Sequence, residues 1–338
     1  MGHRHSSLRS FALGVFVTLI SLLALRSREA LAQGSCVTLE NQLKGLEAGQ
    51  ARLQKDLQRA AGEDKQSLVQ QIKELESEIR QKQAELIKDK CKGVVTWNVA
   101  GRNREALVFP PTTDLAMKHP LIFAWHGHGG NMNNAAESMH FQTLWPAAIV
   151  VYPQGLKTET ERDPNGNAYG WQKENGQDDN RDLKFFDAML ATLQKKYSID
   201  DTRIYTTGFS NGTGFSYLLW AERGQTLAAI GAVAGVLADS EQERLMKPGA
   251  LIAIFGMGDG TASEEVKEKT IRRARDVNGT ASGQPCPAPN EAPSDTKCVI
   301  YPSPTNTPVR KVSHPGGHVY PPWAPDEIVK FFKNHRWQ

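Results

Sequence analysis

The sequence Gly208-Phe209-Ser210-Asn211-Gly212 follows a β-prone run at residues 203–207 and precedes a helix-like run at residues 215–223. A Gly-x-Ser-x-Gly turn between a strand and a helix strains the serine backbone and lifts its hydroxyl clear of the sheet. Both glycines are needed because a side chain at either position would collide with the neighbouring strand or helix. The pattern predicts that Ser210 is a nucleophile. An ordinary tight turn of small residues is the alternative.

An acid that orients the catalytic base is expected later in the chain, because this kind of sheet uses the order serine, acid, histidine. Asp259 follows the apolar run at residues 250–255 and the turn Gly256-Met257-Gly258. A carboxylate just past a buried strand lies where such folds place their sites. Asp259 is the predicted acid, with helix capping or turn formation as the alternative. Asp239 and Asp295 are weaker candidates because neither ends a buried strand.

The base that takes the serine proton is expected to be a histidine. His318 comes after Asp259, in the loop His314-Pro315-Gly316-Gly317-His318. Paired glycines allow this loop to bring an imidazole to the serine, so His318 is the predicted base and His314 its rival. His119 and His140 lie outside any comparable loop and are predicted to be surface residues.

Two backbone N–H groups are expected to face the oxygen on which negative charge develops. One belongs to Asn211, directly after the predicted nucleophile. The other is assigned to His128, in the loop Trp125-His126-Gly127-His128-Gly129-Gly130. Glycines in such a loop let the backbone approach a substrate. A zinc site at His126 and His128 is a weak alternative because no third ligand is near.

Neither a metal ion nor a cofactor is expected. Asp163, Asn165, Asn167 and Glu174 have a faint calcium-loop spacing, but Ala168 stands where that loop needs glycine and no helix leads into it. The net charge of +3 is too small to indicate a nucleic-acid partner. The chain also lacks a basic patch interleaved with aromatic residues.

Residues 1–32 have the pattern of a secretory signal peptide. Arg4 and Arg9 precede an apolar run at residues 11–25, and Ala30-Leu31-Ala32 fits a cleavage site. The run is shorter than the roughly 20 residues that span a membrane. We expect a secreted or periplasmic protein without a membrane span after cleavage. An uncleaved anchor is the alternative.

Residues 33–92 are predicted to form a separate antiparallel coiled-coil hairpin. Apolar residues recur at steps of four and three over residues 39–60 and again over residues 68–86. Between the two runs, Gly62 can end one helix and Asp64 can cap the next. Half of an intermolecular coiled coil is the alternative. The hairpin is a candidate for docking to a wall, a polymer or a protein partner.

The four cysteines are expected to form two disulfides in the oxidising compartment that export implies. Cys36 and Cys91 lie at the two open ends of the predicted hairpin, so they are expected to pair at its base. Cys286 and Cys298 flank a proline-rich loop at residues 287–297 and are expected to close it.

Residues 93–338 alternate short β-rich runs with helical ones, which predicts one α/β domain with a mostly parallel sheet and helices on both faces. The strand candidates are residues 94–99, 105–109, 121–125, 149–152, 203–207, 228–234, 250–255 and 298–301. The helix candidates are residues 133–141, 182–197, 214–223, 263–277 and 325–335. The long polar segment at residues 156–181 is of the kind that often lines a binding site.

Residues 93–338 resemble the secreted polyhydroxybutyrate-depolymerase-like and feruloyl-esterase-like branch of the α/β-hydrolases. The matching motifs span nearly the whole domain and are His126-Gly127-x-Gly129-Gly130, Tyr152-Pro153-Gln154-Gly155, Gly170-Trp171-Gln172, the helix start at Asp182, Gly208-Phe209-Ser210-Asn211-Gly212, Gly256-x-x-Asp259 and Gly316-Gly317-His318. The resemblance implies an α/β-hydrolase fold, action on carboxylic esters and no cofactor. It also implies catalytic roles for Ser210, Asp259 and His318.

The chain departs from that family at His128, where cysteine is common, and at Tyr320, where tryptophan is common. The second departure falls where it would reshape an acyl pocket. Trp171, Tyr320 and Trp323 are candidates for an aromatic wall of that pocket, with ordinary core packing as the alternative.

The sequence thus predicts a secreted serine esterase that acts on feruloyl or acetyl esters of polysaccharide, or on polyhydroxyalkanoate-type esters. The expected partner is an ester substrate, either a small ester or a polymer. A peptidase on the same fold is one alternative. A coiled-coil anchoring protein with a relic hydrolase domain is the other.

Overall fold

The computed structural model describes residues 45–46, 48–60, 63–88, 93–112, 117–238 and 246–337. The predicted signal peptide, Cys36, Cys91 and Asp239 lie outside these residues. The chain divides into two compact units, Met1–Cys91 and Lys92–Gln338.

In the first unit, residues 48–57 are helical and α1 spans Glu63–Lys88. A Cβ atom added to Gly49 would lie 3.5 Å from Cδ2 of Leu75, so the two helical segments are in contact. Ile72, on the predicted apolar stripe, is buried. The pairing of Cys36 with Cys91 and the hairpin as a whole stay predictions.

The second unit is built on a ten-stranded sheet and a separate two-stranded ribbon. The strands are β1 (Gly93–Val99), β2 (Arg102–Phe109), β3 (His119–Trp125), β4 (Ile149–Pro153), β5 (Leu156–Lys157), β6 (Tyr169–Gly170), β7 (Ile199–Phe209), β8 (Ala229–Val233), β9 (Ala250–Gly256), β10 (Gln284–Pro285), β11 (Lys297–Tyr301) and β12 (Val309–His314). The order in the large sheet is β1-β2-β4-β3-β7-β8-β9-β12-β11-β10, and β5 pairs with β6. The strands from β4 to β12 in that order are parallel, and the flanking pairs are antiparallel.

Helices cover both faces of the sheet. The helices of this unit are α2 (Met132–Met139), α3 (Phe141–Leu144), α4 (Arg181–Lys196), α5 (Asn211–Arg223), α6 (Glu264–Asn278) and α7 (Ala324–Lys333). Alternate residues of a strand face opposite sides, so Ile122 of β3 packs in the cluster that contains residues of α2 and α7. Phe123 packs in the cluster that contains residues of α4 and α5. This burial on both faces explains why the central strands are continuously apolar.

The architecture confirms the predicted fold class, and the helix ends follow local chemistry. Ser263 caps α6 by accepting a hydrogen bond from the N–H of Val266, and Gly279 ends that helix with φ 57°. A left-handed residue of this kind is the common C-terminal stop of a helix. The predicted bounds of the helices differ from the observed ones by a few residues at most, which is normal for frayed ends.

The sequence reading missed strand β12, which pairs in parallel with β9 and antiparallel with β11. Arg310 and Lys311 interrupt its apolar pattern, and only Val309, Val312 and His314 are buried. The strand matters because it carries the chain to the loop that holds His318.

The second predicted disulfide is present and joins Cys286 to Cys298 with a Cα–Cα distance of 5.1 Å. It connects the segment near β10 to β11 and closes the proline-rich loop between them. No described helix is both long and apolar enough to cross a lipid bilayer.

Candidate active site

The predicted site residues meet at the carboxyl edge of the parallel strands. His128 follows β3, Ser210 follows β7, Asp259 follows β9 and His318 follows β12. The carboxyl ends of neighbouring parallel strands lie at one edge of a sheet, and open α/β sheets bind ligands there. Residues distant in sequence are therefore brought into one site by strand order.

The turn at Ser210 has the strained geometry that the sequence predicts. Ser210 has φ 54° and ψ −116°, which is unusual for a residue with a side chain. A Cβ atom on Gly208 would lie 2.3 Å from the backbone of Gly212, and one on Gly212 would lie 2.4 Å from the carbonyl oxygen of Trp125. Both glycines are required because real Cβ atoms do not approach so closely.

A hydrogen-bonded chain links the three predicted catalytic residues. The Ser210 hydroxyl lies 2.8 Å from Nε2 of His318, and Nδ1 of His318 lies 2.8 Å from Oδ2 of Asp259. The side chain of Asp259 is 3% exposed, and that of His318 is 30% exposed. In this arrangement His318 can accept the serine proton while Asp259 holds the ring orientation. The catalytic roles themselves stay predictions.

Hydrogen bonds from neighbouring groups stabilise the charged form of the Asp259 carboxyl group. Burial opposes its charged form, but hydrogen bonds from Thr261 and His318 outweigh burial and lower the pKa of Asp259. The N–H of Thr261 donates to Oδ1 of Asp259 at 2.8 Å. The buried ammonium of Lys267 donates to the carbonyls of Gly256 and Asp259, both at 3.0 Å. The sequence reading missed Thr261 and Lys267 because neither belongs to a motif.

The backbone amides of Asn211 and His128 were predicted to bind an oxyanion. In the described part of the chain, neither N–H donates a hydrogen bond to another group. Both residues line the same cleft as Ser210 and His318. Two unused donors beside a nucleophile suit a developing negative charge, although their role stays a prediction.

The cleft above Ser210 has a volume of about 710 Å³ and a lining that is partly apolar and partly polar. The end of β9 and the segments after β8 and β9 contribute the apolar residues Ala234, Val236, Leu237, Phe255 and Val266, together with Asp259, Thr261, Ser263 and Lys267. The segment at residues 156–181 contributes polar residues, namely Thr160, Glu161, Arg162, Lys173 and Glu174. A ligand bound at Ser210 would therefore meet an apolar surface and a polar one.

None of the three residues of the predicted aromatic wall lines this cleft. Trp171 is fully buried, with its ring stacked on Phe215 and its indole N–H donating to the His126 carbonyl at 2.8 Å. Trp323 is buried in the core. Tyr320 is half-buried and packs edge-on against Phe209. All three serve packing, which was the alternative reading.

His119 and His314 lie away from the catalytic position and make contacts within the fold. His119 was predicted at the surface but is buried, with Nδ1 2.9 Å from the Ala147 carbonyl oxygen. His314 ends β12, is buried, and accepts a hydrogen bond from the N–H of Gly316. It therefore supports the loop of His318 and is not placed as the base.

His126 connects two loops at the edge of the sheet. Its Nδ1 lies 2.8 Å from the Gly127 carbonyl oxygen, and its Nε2 accepts a hydrogen bond from the N–H of Gly155 at 3.0 Å. Burial lowers the pKa of His126 to about 4, so the ring is neutral at physiological pH. Both ring nitrogens of the neutral His126 side chain contact backbone groups of the protein. His126 therefore has a structural role, and its geometry does not support the alternative of a zinc site.

No group of three or more His, Cys, Asp or Glu side chains within the described residues is placed to hold a metal ion. The faint calcium-loop spacing has another explanation. The Asp163 carboxylate accepts hydrogen bonds from the Ala168 N–H and the Asn167 side chain, and it lies 3.1 Å from Nε2 of His128. These contacts fold the loop on itself.

Comparison with known proteins finds feruloyl esterases and an acetyl xylan esterase among the similar proteins. Probable feruloyl esterase C of Aspergillus oryzae is 28% identical over 247 residues, which cover 68% of this chain and 84% of that protein. Probable feruloyl esterase C of Aspergillus clavatus is 26% identical over 238 residues, 67% of this chain and 81% of that protein. The solved acetyl xylan esterase from Aspergillus awamori is 16% identical with a TM-score of 0.49, covering 72% of this chain and 99% of that chain.

A family model described as acetyl xylan esterase (AXE1) matches residues 63–244, which is more than half of the sequence. The match includes the loop of His128 and the turn of Ser210. The chain therefore belongs to the acetyl xylan esterase (AXE1) family and is a carboxylic ester hydrolase.

Proposed function

We propose that this protein is a secreted serine esterase that removes feruloyl or acetyl groups from a xylan-type polysaccharide. The observation that carries the proposal is the hydrogen-bonded chain Ser210–His318–Asp259 in an open cleft. A serine hydroxyl is a weak nucleophile until such a base and its orienting acid are in place.

The proposed reaction has two halves. Ser210 Oγ attacks the ester carbonyl carbon while Nε2 of His318 takes the hydroxyl proton. That proton then passes to the leaving alcohol oxygen, which leaves an acyl group on Ser210. Water then attacks the acyl carbon while His318 takes its proton, the bond to Ser210 Oγ breaks, and His318 returns the proton to Oγ as the acid leaves. Asp259 holds the imidazole and stabilises its charged form throughout.

In both halves, negative charge develops on the former carbonyl oxygen. The N–H groups of Asn211 and His128 would stabilise it, because neither has another partner in the described residues. Removing one donor of this kind costs about 10²- to 10³-fold in kcat in comparable hydrolases.

The two linings of the cleft suggest how the substrate lies. The apolar side, at Ala234 to Leu237 with Phe255, suits the acyl group. The polar side, which includes Thr160 and Arg162, suits a hydroxyl-rich sugar alcohol. The names of the relatives, feruloyl esterase and acetylxylan esterase/xylanase, support acyl groups on plant polysaccharide as substrates.

Secretion is part of the proposal. Its support is the signal-like pattern at residues 1–32 together with the Cys286–Cys298 disulfide, since disulfides persist in oxidising compartments.

We further propose that residues 33–92 form a helical hairpin that docks to insoluble substrate. Deleting residues 36–91 should weaken binding to insoluble xylan and spare turnover of a soluble ester. Equal loss of both would contradict this role.

A substrate panel tests the proposed activity. Purified protein is assayed on methyl ferulate, acetylated xylan, hydroxybutyrate oligomers and a peptide, each beside the Ser210→Ala variant. We expect turnover of methyl ferulate or acetylated xylan, and a loss of at least about 10⁴-fold in kcat on replacing Ser210. The proposal fails if neither ester is hydrolysed, or if Ser210→Ala retains a tenth of the rate.

A further inference from the structure

We infer that residues 169–171 are a brace that fixes the separation of the two oxyanion-binding amides. The inference rests on the proposed function, because it concerns the amides of Asn211 and His128. The motif Gly170-Trp171-Gln172 stands out in the sequence, yet none of its side chains reaches the cleft. It instead contacts the two loops that flank Ser210, which suggests that it positions them.

The brace binds the Ser210 turn through the side chain of Asn211. Oδ1 of Asn211 accepts a hydrogen bond from the N–H of Trp171 at 2.7 Å, and its Nδ2 donates to the carbonyl of Trp171 at 3.0 Å. Both bonds are buried. They orient residue 211, whose own N–H is one proposed donor.

The brace also binds the loop of His128. The N–H of Gly129 donates to the carbonyl of Tyr169 at 2.7 Å. A Cβ atom on Gly170 would lie 2.7 Å from Nδ1 of His128 and 2.9 Å from Oδ1 of Asn211. The backbone of Gly170 is thus wedged between the two residues whose amides are proposed to bind the oxyanion. Only glycine leaves room for this approach.

The brace is itself held on rigid parts of the domain. Trp171 stacks on Phe215 of α5 and donates from its indole to the carbonyl of His126. The N–H of Gln172 donates to Oδ2 of Asp182 at 2.9 Å, and Arg104 of β2 donates to the other oxygen of that carboxylate at 2.7 Å. A support tied to both a helix and the sheet can set a distance between two loops.

The brace has a consequence that ordinary packing lacks. Moving the two amides apart weakens transition-state binding and hardly affects the ground state, so kcat should fall while KM stays nearly constant. A substitution in a segment that merely stabilises the fold would lower the unfolding free energy and leave the kcat of the folded enzyme unchanged.

Gly170→Ala tests the brace because the added methyl group enters between His128 and Asn211. In the full chain we expect kcat for a soluble ester to fall by about 10- to 100-fold, with KM within about threefold of wild type. Gly224→Ala is the matched control, because a Cβ there would meet its nearest neighbour at an ordinary 3.4 Å and lies outside the cleft. It should retain the wild-type kcat.

A second substitution separates the brace from general damage. His128→Ala keeps the backbone amide and removes the ring that the new methyl group would meet. In the His128→Ala background, Gly170→Ala should therefore cost several-fold less in kcat than in wild type. Should Gly170→Ala fail to fold, Asn211→Ala measures the same brace, since it removes both bonds to Trp171, and the expected loss in kcat is again about 10- to 100-fold.

The outcomes are distinguishable. A wild-type kcat in folded Gly170→Ala, or in Asn211→Ala, overturns the brace and leaves the proposed function standing. The same loss from Gly170→Ala in both backgrounds overturns it as well. If the wild-type protein hydrolyses no ester at all, the proposed function and the brace fall together.

Discussion

The turn at Ser210 and the insert at residues 156–181 are positioned in different ways. The turn depends mainly on its own residues, because Ser210 is strained and a side chain on Gly208 would collide with Gly212. Its one distant requirement is at Gly212, which packs against the carbonyl oxygen of Trp125. The insert has little regular structure beyond β5, β6 and a short helical turn at Gln177–Asn180. It is held by partners far away in sequence, such as Arg104, which donates to the Arg181 carbonyl, and Asn211, which binds Trp171.

This difference predicts how each region responds to substitution. A change at the strand edge should remove one chemical group and leave the fold intact. A change among the partners of the insert should instead lower the free energy of unfolding and affect catalysis only indirectly. The experiments below separate these two responses.

The largest effect is expected from Asp259→Asn. An amide cannot hold His318 in the required tautomer, so kcat should fall by about 10⁴-fold while the unfolding midpoint changes little. Initial rates on a soluble ester measure this loss. Asp295→Asn is the matched control, because Asp295 is exposed and was the weaker candidate. Equal loss in the two variants would contradict the assignment of the acid.

A large loss of stability is expected from Arg104→Met, on the insert side of the comparison. The side chains of Arg104 and Asp182 are 1% and 0% exposed. Removing Arg104 leaves the buried Asp182 carboxylate with the more distant Arg181, at 3.7 Å, as its ionic partner. Breaking a buried pair of this kind costs about 3–5 kcal/mol. Denaturant unfolding measures this free energy. Arg223→Met is the control, since its pair with Asp187 is partly exposed and contributes at most about 1 kcal/mol.

The double variant Arg104→Met with Asp182→Asn sharpens this result. It removes the buried carboxylate charge that lost its nearer partner, so it should recover part of the stability that Arg104→Met loses. If Arg104→Met costs no more than Arg223→Met, the insert is not anchored by this ion pair.

A smaller effect is expected from pH through His126, which joins the loop after β3 to Gly155 at the start of the insert. Burial lowers the pKa of His126 to about 4, whereas an unfolded histidine has a pKa of about 6.5. Between these values the unfolded chain binds more protons, so the unfolding free energy falls as pH drops. The contribution of His126 is about 3 kcal/mol, present above pH 6.5 and lost by about pH 4.

Unfolding curves of wild type and His126→Gln at pH 7, 5 and 4 isolate this contribution. Glutamine offers an acceptor near the N–H of Gly155 and does not titrate. His314 and His335 also have a pKa lowered by burial, so the wild-type protein loses stability in acid from several groups. The difference between the two proteins should shrink towards pH 4. A constant difference would contradict the role of His126.

The sequence was sufficient for the parts of the molecule that depend on local rules. The turn at Ser210 needs its glycines, and the apolar strands before Trp125 and Gly256 are buried on both faces. These features revealed the fold class, the order of the site residues and the loop disulfide. Short motifs express such requirements within a few residues.

Long-range contacts could not be predicted in this way. Trp171 was expected in the cleft as an aromatic contact, whereas its indole bonds to the His126 carbonyl in the core. Strand β12 was missed because Arg310 and Lys311 interrupt its apolar pattern, while its place in the sheet depends on pairing with β9 and β11. Lys267 donates hydrogen bonds to carbonyls of the Asp259 turn, although it belongs to the helix that follows that turn. Each case depends on a partner that no local pattern reveals.

Labelling with a fluorophosphonate tests the central claim, that His318 and Asp259 activate Ser210, most directly. The reagent reacts with a serine only when a neighbouring base has activated it. Peptide mass spectrometry should find one adduct, on the peptide that contains Ser210, in wild type, with little or none in His318→Ala. An adduct on another residue, or equal labelling of the two proteins, would contradict the account.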